Sequence, residues 1–126
     1  MLLVKTTLAP SKIHGIGLFA AEPIAEGTEV WRFVPDFDGE FPASYPTSLP
    51  PVVREQFLNY AYMSRASGTY ILCADDMRFI NHADKPNILS VMREGEQEGV
   101  DVAARDIEQG EELLYDYRVF ADPLPV

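Results

Sequence analysis

Cysteine is almost absent: the chain of 126 residues carries one, Cys73. A single thiol makes no intrachain disulfide and no multi-cysteine zinc site, so Cys73 reads as a buried, unreactive group. Histidine is scarce too, with two copies. His14 lies far in sequence from His82, so a transition-metal site built from His82 with Asp75, Asp76 and Asp84 is not expected, and no metal is predicted. Basic charge is the third shortage. Lys and Arg number 10 against 20 Asp and Glu, a formal net charge of -10. That balance repels a phosphate backbone and argues against direct nucleic-acid binding. It attracts a basic peptide and steers it at low salt, although net negative charge also serves solubility alone. No apolar run is long enough to cross a bilayer. The first ten residues are too few and too polar for a secretory signal, so a cytoplasmic protein without membrane contact is the expectation.

What is present is ordinary for a globular protein: 47% hydrophobic and 24% charged residues, which argues against disorder. The length suits one domain over residues 1–126. Proline and glycine, with 10 and 8 copies, punctuate short stretches rich in β-branched and aromatic residues, a pattern of many short strands. Strands are predicted at 2–7, 17–21, 28–34 and 69–73. Two more, at 87–93 and 99–104, flank the polar turn Glu94-Gly95-Glu96-Gln97-Glu98 as a hairpin. Residues 35–51 read as a loop. The one good helix candidate is 52–64, after Pro50-Pro51, with Val53, Phe57, Tyr60 and Ser64 at helical spacing. One helix among short strands excludes an alternating βαβ layout and gives a mostly β fold with one or two short helices.

Three stretches carry candidate chemistry. Gly15-Ile16-Gly17-Leu18-Phe19-Ala20 fits the G-x-G-x-x-G/A dinucleotide pattern on paper. That motif needs a helix directly after the glycines, and Pro23 and Gly27 would break one. What remains is a G-x-G at which backbone comes close to something, or a tight turn between strands. In Arg78-Phe79-Ile80-Asn81-His82-Ala83-Asp84-Lys85-Pro86-Asn87, adjacent Asn81 and His82 face opposite ways if extended. They share one ligand only if the chain leaves strand geometry or one acts through its backbone. Otherwise the stretch is a satisfied polar turn. In Gly110-Glu111-Glu112-Leu113-Leu114-Tyr115-Asp116-Tyr117, Tyr115 and Tyr117 fall on one face if extended. There they line a polar-aromatic slot or simply pack on a sheet. Acidic groups at Glu94, Glu96, Glu98 and Asp101, and at Asp36, Asp38 and Glu40, could gather a basic segment, a solvated face being the commoner arrangement.

Taken in order, these motifs resemble those of the SET-domain family of protein lysine methyltransferases. Lys12 to Ala20 resembles its opening motif, and Ile24-Ala25-Glu26-Gly27-Thr28-Glu29-Val30 the turn and strand after it. Arg78 to His82 with Pro86-Asn87 resembles its central R-F-x-N-H-S-x-x-P-N motif. Ile107 to Tyr117 resembles its closing G-E-E-L-x-Y-D-Y motif. The resemblance runs from about Leu3 to Tyr117. It implies a β-clip fold of small sheets with a knot-like C-terminal crossing, a variable insert at about 36–72 and a short tail at about 118–126. It also implies an S-adenosyl-L-methionine cofactor and a substrate lysine entering from opposite faces. Gly15, Ile16 and Gly17 would hold the methionine part through backbone groups. Asn81 and His82 would bind the amino group and adenine, and Phe120 would pack on adenine. Tyr117 matches the catalytic tyrosine. Tyr62, at the end of the helical insert, would face cofactor or lysine. A tyrosine at Tyr115, rather than phenylalanine, implies a monomethyl product on a basic protein or peptide.

The chain departs from the pattern in places. Ala83 stands where serine is usual, a frequently seen cysteine is missing, and so is the cysteine-rich segment that follows the domain in many members. Part of the lysine channel must then come from residues 120–126, from a partner in a homodimer, or from the substrate. The pattern resembles the minimal stand-alone members of bacteria or viruses. Two rivals remain open at this point: a non-catalytic SET-like module that binds peptide or cofactor without turnover, and an unrelated β-clip or barrel domain.

Overall fold

Gly, Pro and Asp turns cut the chain before any strand grows long, and the strands are two to five residues each among the described residues. The structure is a computed structural model that describes residues 1–119. Strands β1 (Thr6–Pro10) and β2 (Ile16–Ala20) form an antiparallel pair with Thr6 opposite Ala20. Gly15 closes it at φ +47, a left-handed conformation that glycine adopts without a steric penalty. The strand expected at 2–7 is displaced. The first residues run along a different neighbour: Leu3 N–H donates to Val30 O (2.8 Å) and Leu2 makes an isolated bridge to Trp31. One sequence run is thus divided between two sheets.

The second sheet has the order β3 (Glu29–Trp31), β9 (Val100–Ala103), β8 (Ile88–Val91), all antiparallel. The expected hairpin is present, shortened at both ends. Every residue of central β9 is buried. Its register sets Asp101 opposite Trp31 on one side and Ser90 on the other.

Residues 36–72 build a third small sheet, in the order β4 (Gly39–Phe41), β6 (Tyr70–Leu72), β5 (Tyr62–Met63). The stretch expected as a loop thus contains a strand and a 3-10 turn over Tyr45–Ser48. Helix α1 spans Pro51–Tyr60, not 52–64. Proline at its first position suits a helix start. It stops because Ala61 turns extended (φ -83, ψ 152) and Tyr62 and Met63 find sheet partners in Ile71 and Tyr70. Sheet pairing wins over helical spacing there, and Tyr62 leaves the helix for β5. The helix buries no residue fully. It is held by Arg54, which donates to Pro46 O (2.8 Å) and Leu49 O (3.0 Å), and by Phe57. The Phe57 ring packs edge-on against Phe41 at 5.2 Å and Tyr70 at 5.5 Å.

The feature that builds the site is a short parallel pair, β7 (Asn81–His82) against β10 (Leu114–Tyr115). Asn87 pins it. Its amide donates to Glu112 O (2.9 Å), and its Oδ1 accepts from Leu114 N–H (2.8 Å). Ala83 N–H adds a bond to Tyr115 O (3.0 Å), so the position where serine was expected contributes through its backbone. The core beneath holds Leu18, Val30, Ile71, Ile88, Ile107 and Leu113, all buried.

Candidate active site

The tip of the first hairpin and the parallel crossing meet at Asn81. Its Nδ2 reaches His14 O (3.0 Å), Ile16 O (3.3 Å) and Glu112 Oε2 (2.9 Å). The other side of Glu112 is bonded by Ser11 Oγ, 2.9 Å from each carboxylate oxygen. A Cβ on Gly17 would stand 2.4 Å from Glu112 Oε2. Gly17 is therefore glycine so that this carboxylate can lie against the backbone. Gly15 meets nothing within 4 Å in the same sense, and its side of the turn is open. Asn81 thus spends its amide hydrogens on fixing the Gly15–Gly17 turn and the Glu112 carboxylate. Sequence reasoning placed Glu112 in a motif but gave it no role. A glutamate shortly before a tyrosine pair carries no signal of which distant turn it clamps.

His82, on the opposite face of β7, takes a different partner. Its Nδ1 accepts from Tyr117 N–H (3.0 Å), and the two rings lie 5.4 Å apart. Asp84 and Asp116 stand 3.3 Å and 3.6 Å from its nitrogens. Arg118 forks onto both oxygens of Asp116 at 2.9 and 2.7 Å and holds that carboxyl down at about 2. The Tyr117 hydroxyl donates to Ile80 O, which aims the ring along β7. Asn81 and His82 do face apart, as strand geometry requires, and the crossing gives each a role.

Tyr62, Tyr115 and Tyr117 line one cleft of about 810 Å³, on the side of the crossing where β5, β8 and β10 converge. Tyr115 is 1% exposed and Tyr117 38%, so the phenols run from floor to mouth. Burial pushes all three hydroxyls up from their ordinary acidity, Tyr62 most strongly, with Cys73 and the carboxylates of Glu98 and Asp101 adding to it. Burial also raises Cys73, which lines the cleft and stays a thiol. These groups hold their protons at neutral pH. Phe120 lies outside the described residues.

Each acidic cluster is divided: Asp36, Glu40 and Glu94 are exposed, as a solvated face would be, while three other members are buried. Asp38, Glu98 and Asp101 are only 4%, 5% and 6% exposed. Asp38 accepts from Val34 N–H (2.9 Å) and the Met1 amine (2.9 Å), a structural clamp. Glu98 and Asp101 line the tyrosine cleft. Ser64 Oγ donates to Glu98 Oε1 (2.5 Å), while Glu98 Oε2 is buried without a hydrogen-bond partner among the described residues. Alternation along a strand puts Asp101 inward, and sequence reasoning overlooked this because aspartate is rarely buried. Among the described residues no cluster of three metal-ligating side chains occurs.

Comparison with known proteins agrees with this geometry. The SET domain family matches residues 15–118. An H3 lysine-4 specific histone-lysine N-methyltransferase of Schizosaccharomyces pombe is 35% identical over 92% of this chain and 13% of its own length. Histone-lysine N-methyltransferase ATXR7 of Arabidopsis thaliana is 36% identical over 86% of this chain and 8% of its own. The chain thus spans a small fraction of these relatives. Among solved structures, a humanized mutant of the Chaetomium thermophilum Polycomb Repressive Complex 2 bound to the inhibitor GSK126 superposes with a TM-score of 0.66. It is 27% identical over 98% of this chain and 16% of that one. With the clamped G-x-G turn, the Asn-His crossing and the tyrosine cleft in the family's order, this chain belongs to the SET-domain family.

Proposed function

We propose that the protein transfers a methyl group from S-adenosyl-L-methionine to a lysine side chain of a basic protein, leaving monomethyl-lysine. The observation that carries this reading is the meeting of Tyr62, Tyr115 and Tyr117 in one cleft whose wall includes Ile80, the neighbour of the Asn81 that clamps the Gly15–Gly17 turn. The residues present fit the cofactor. The turn is open at Gly15, where no atom stands within 4 Å of a Cβ position, and backbone carbonyls and carboxylates suit a cationic group bearing an amine. Bound there, the cofactor supplies an electrophilic methyl on cationic sulfur. Gly15, Ile16 and Gly17 would hold it through backbone atoms, with Asn81 and His82 beside them.

The chain's residues then have three tasks. They align the lysine nitrogen, exclude water and leave the amine neutral. Alignment falls to Tyr117, whose hydroxyl is tied to Ile80 O and whose ring lies beside that of His82. A free lysine has a pKa of about 10.4, and removal of the amine from water lowers it. Tyr115 limits the product. Its hydroxyl is tied to Ser90 and its ring is sealed in the core, so the space where a second methyl would turn is taken.

Relatives named for histone lysines make histone H3 the first substrate to try. The test is transfer of labelled methyl from S-adenosyl-L-methionine to H3 and a pool of basic proteins, with Tyr117→Phe and Asn81→Ala beside the unaltered chain. Label in lysine, lost in both variants, supports the reading. Cofactor binding without label favours a binding module instead. A homodimer completing the channel and a cytoplasmic location rest on the sequence alone.

A further inference from the structure

The methyl-transfer reading leaves one need unmet: the lysine ammonium must lose a proton inside a cleft where Tyr62, Tyr115, Tyr117 and Cys73 hold theirs. Asp101 is the group in that cleft left without a task. It sits in the middle of central strand β9, 6% exposed, with Trp31 and Ser90 as its cross-strand neighbours. Ser90 hydrogen-bonds both the Asp101 carboxyl and the Tyr115 hydroxyl. Ser90, Asp101 and Tyr115 all line the same cleft as Tyr117. In the same cleft Glu98 Oε2 has no hydrogen-bond partner among the described residues, an arrangement that is costly unless a donor arrives.

We propose that Asp101 accepts the proton of the target lysine, through the Ser90 hydroxyl that it shares with Tyr115, and that Glu98 Oε2 receives the ammonium as it enters. This rests on the methyl-transfer reading. In the step, an N–H bond of the ammonium breaks and its electron pair stays on nitrogen as the lone pair needed for attack. The proton passes to Ser90 Oγ as the Ser90 O–H proton moves to Asp101, where an O–H bond forms. Solvent takes that proton once the product leaves, and the carboxylate is restored.

Electrostatics agree with the geometry. Burial pushes the Asp101 carboxyl up to about 8, with the Ser90 hydrogen bond and the Met1 amine pulling the other way. A proton acceptor works best when its pKa lies near the working pH. The other groups facing Asp101 are Tyr62 on β5, Cys73 just past β6 and Tyr115 on β10, and all three are neutral. Glu98 joins them around Tyr62. An arriving ammonium or sulfonium favours the ionised carboxylate and so draws Asp101 toward its basic form.

The test is the pH dependence of turnover on histone H3 for the unaltered chain, Asp101→Asn and Ser90→Ala, with carboxyl NMR of Asp101 in the unliganded protein. Thermal unfolding checks that each variant is folded. Expected is a kcat that rises with pH through about 8 in the unaltered chain. Asp101→Asn should lower kcat by about 100-fold with KM little changed, and abolish that rise. Ser90→Ala, which keeps the carboxylate, should lose part of kcat and decides the matter if Asp101→Asn does not fold. A folded Asp101→Asn with the original kcat and pH profile overturns the proposal, as does a Ser90→Ala that behaves like the unaltered chain. So does an Asp101 resonance that titrates in the ordinary carboxylate range, whatever the kinetics show. No transfer by the unaltered chain overturns the methyl-transfer reading and this role with it.

Discussion

At Gly17 a missing Cβ is occupied by another residue's carboxylate: Glu112 Oε2 lies 2.4 Å from where that carbon would stand. Gly17→Ala should therefore push Glu112 off Asn81 and Ser11 and destabilise the fold by about 1–3 kcal/mol, read as a lower urea midpoint. An unchanged midpoint would mean that the carboxylate can swing aside at no cost. Tyr115 carries a second prediction. Tyr115→Phe removes the hydroxyl bonded to Ser90 and opens room beside the lysine nitrogen. Mass spectrometry of the product should show a shift from monomethyl toward dimethyl-lysine, and an unchanged ratio would remove the proposed limit. Residue types were the readable part at this scale. Asn81, His82 and Tyr117 stand out because few structural jobs require that combination in that order. Glu112, Ser90 and Asp101 did not stand out, because Glu112 acts on Asn81, 31 residues away in the chain, and Ser90 and Asp101 meet only across a sheet.

Short elements here are decided by their neighbours more than by their own propensity. Helix α1 shows it. Its helical spacing continued to Ser64, yet it ends at Tyr60 because the next residues pair with β6. Two side chains anchor it, and Phe57 is the larger, standing among Phe41, Tyr45 and Tyr70. Phe57→Ala should cost about 2 kcal/mol and speed amide hydrogen exchange across Pro51–Tyr60 before the rest of the fold opens. Val53→Ala, at a position 47% exposed, should change stability by under about 0.5 kcal/mol. Equal effects of the two would show that the helix packs on a face other than the one seen. The hairpin of β8 and β9 was readable because its turn is polar and its strands are apolar on both sides. The division of residues 1–10 between two sheets was not, because nothing in a run of six or seven β-formers states which partner each will meet.

For the whole molecule the buried carboxyl sets a pH dependence. Folded Asp101 keeps its proton up to about pH 8 against an ordinary value of 3.8. Between those values the folded state binds more protons than the unfolded chain, so stability falls as pH rises through that window. Thermal midpoints of the unaltered chain should drop from pH 5 to pH 8, and those of Asp101→Asn should drop less. Identical slopes would show that Asp101 ionises freely in the folded protein. Turnover should run the opposite way, rising over the same range, which separates the chemistry from the stability. The sequence by itself determined the composition-level outcome: net charge of -10, short strands between glycines and prolines, and three motifs whose order gave the family. Those are properties of residues and their near neighbours. Only the tertiary structure decided which groups meet. Parallel pairing of Asn81–His82 with Leu114–Tyr115 brings the two ends of the site together, and the register of β9 turns Asp101 inward. A one-residue slip in that register would have carried the same carboxylate to the opposite face of β9, away from the cleft, since successive side chains on a strand face opposite ways.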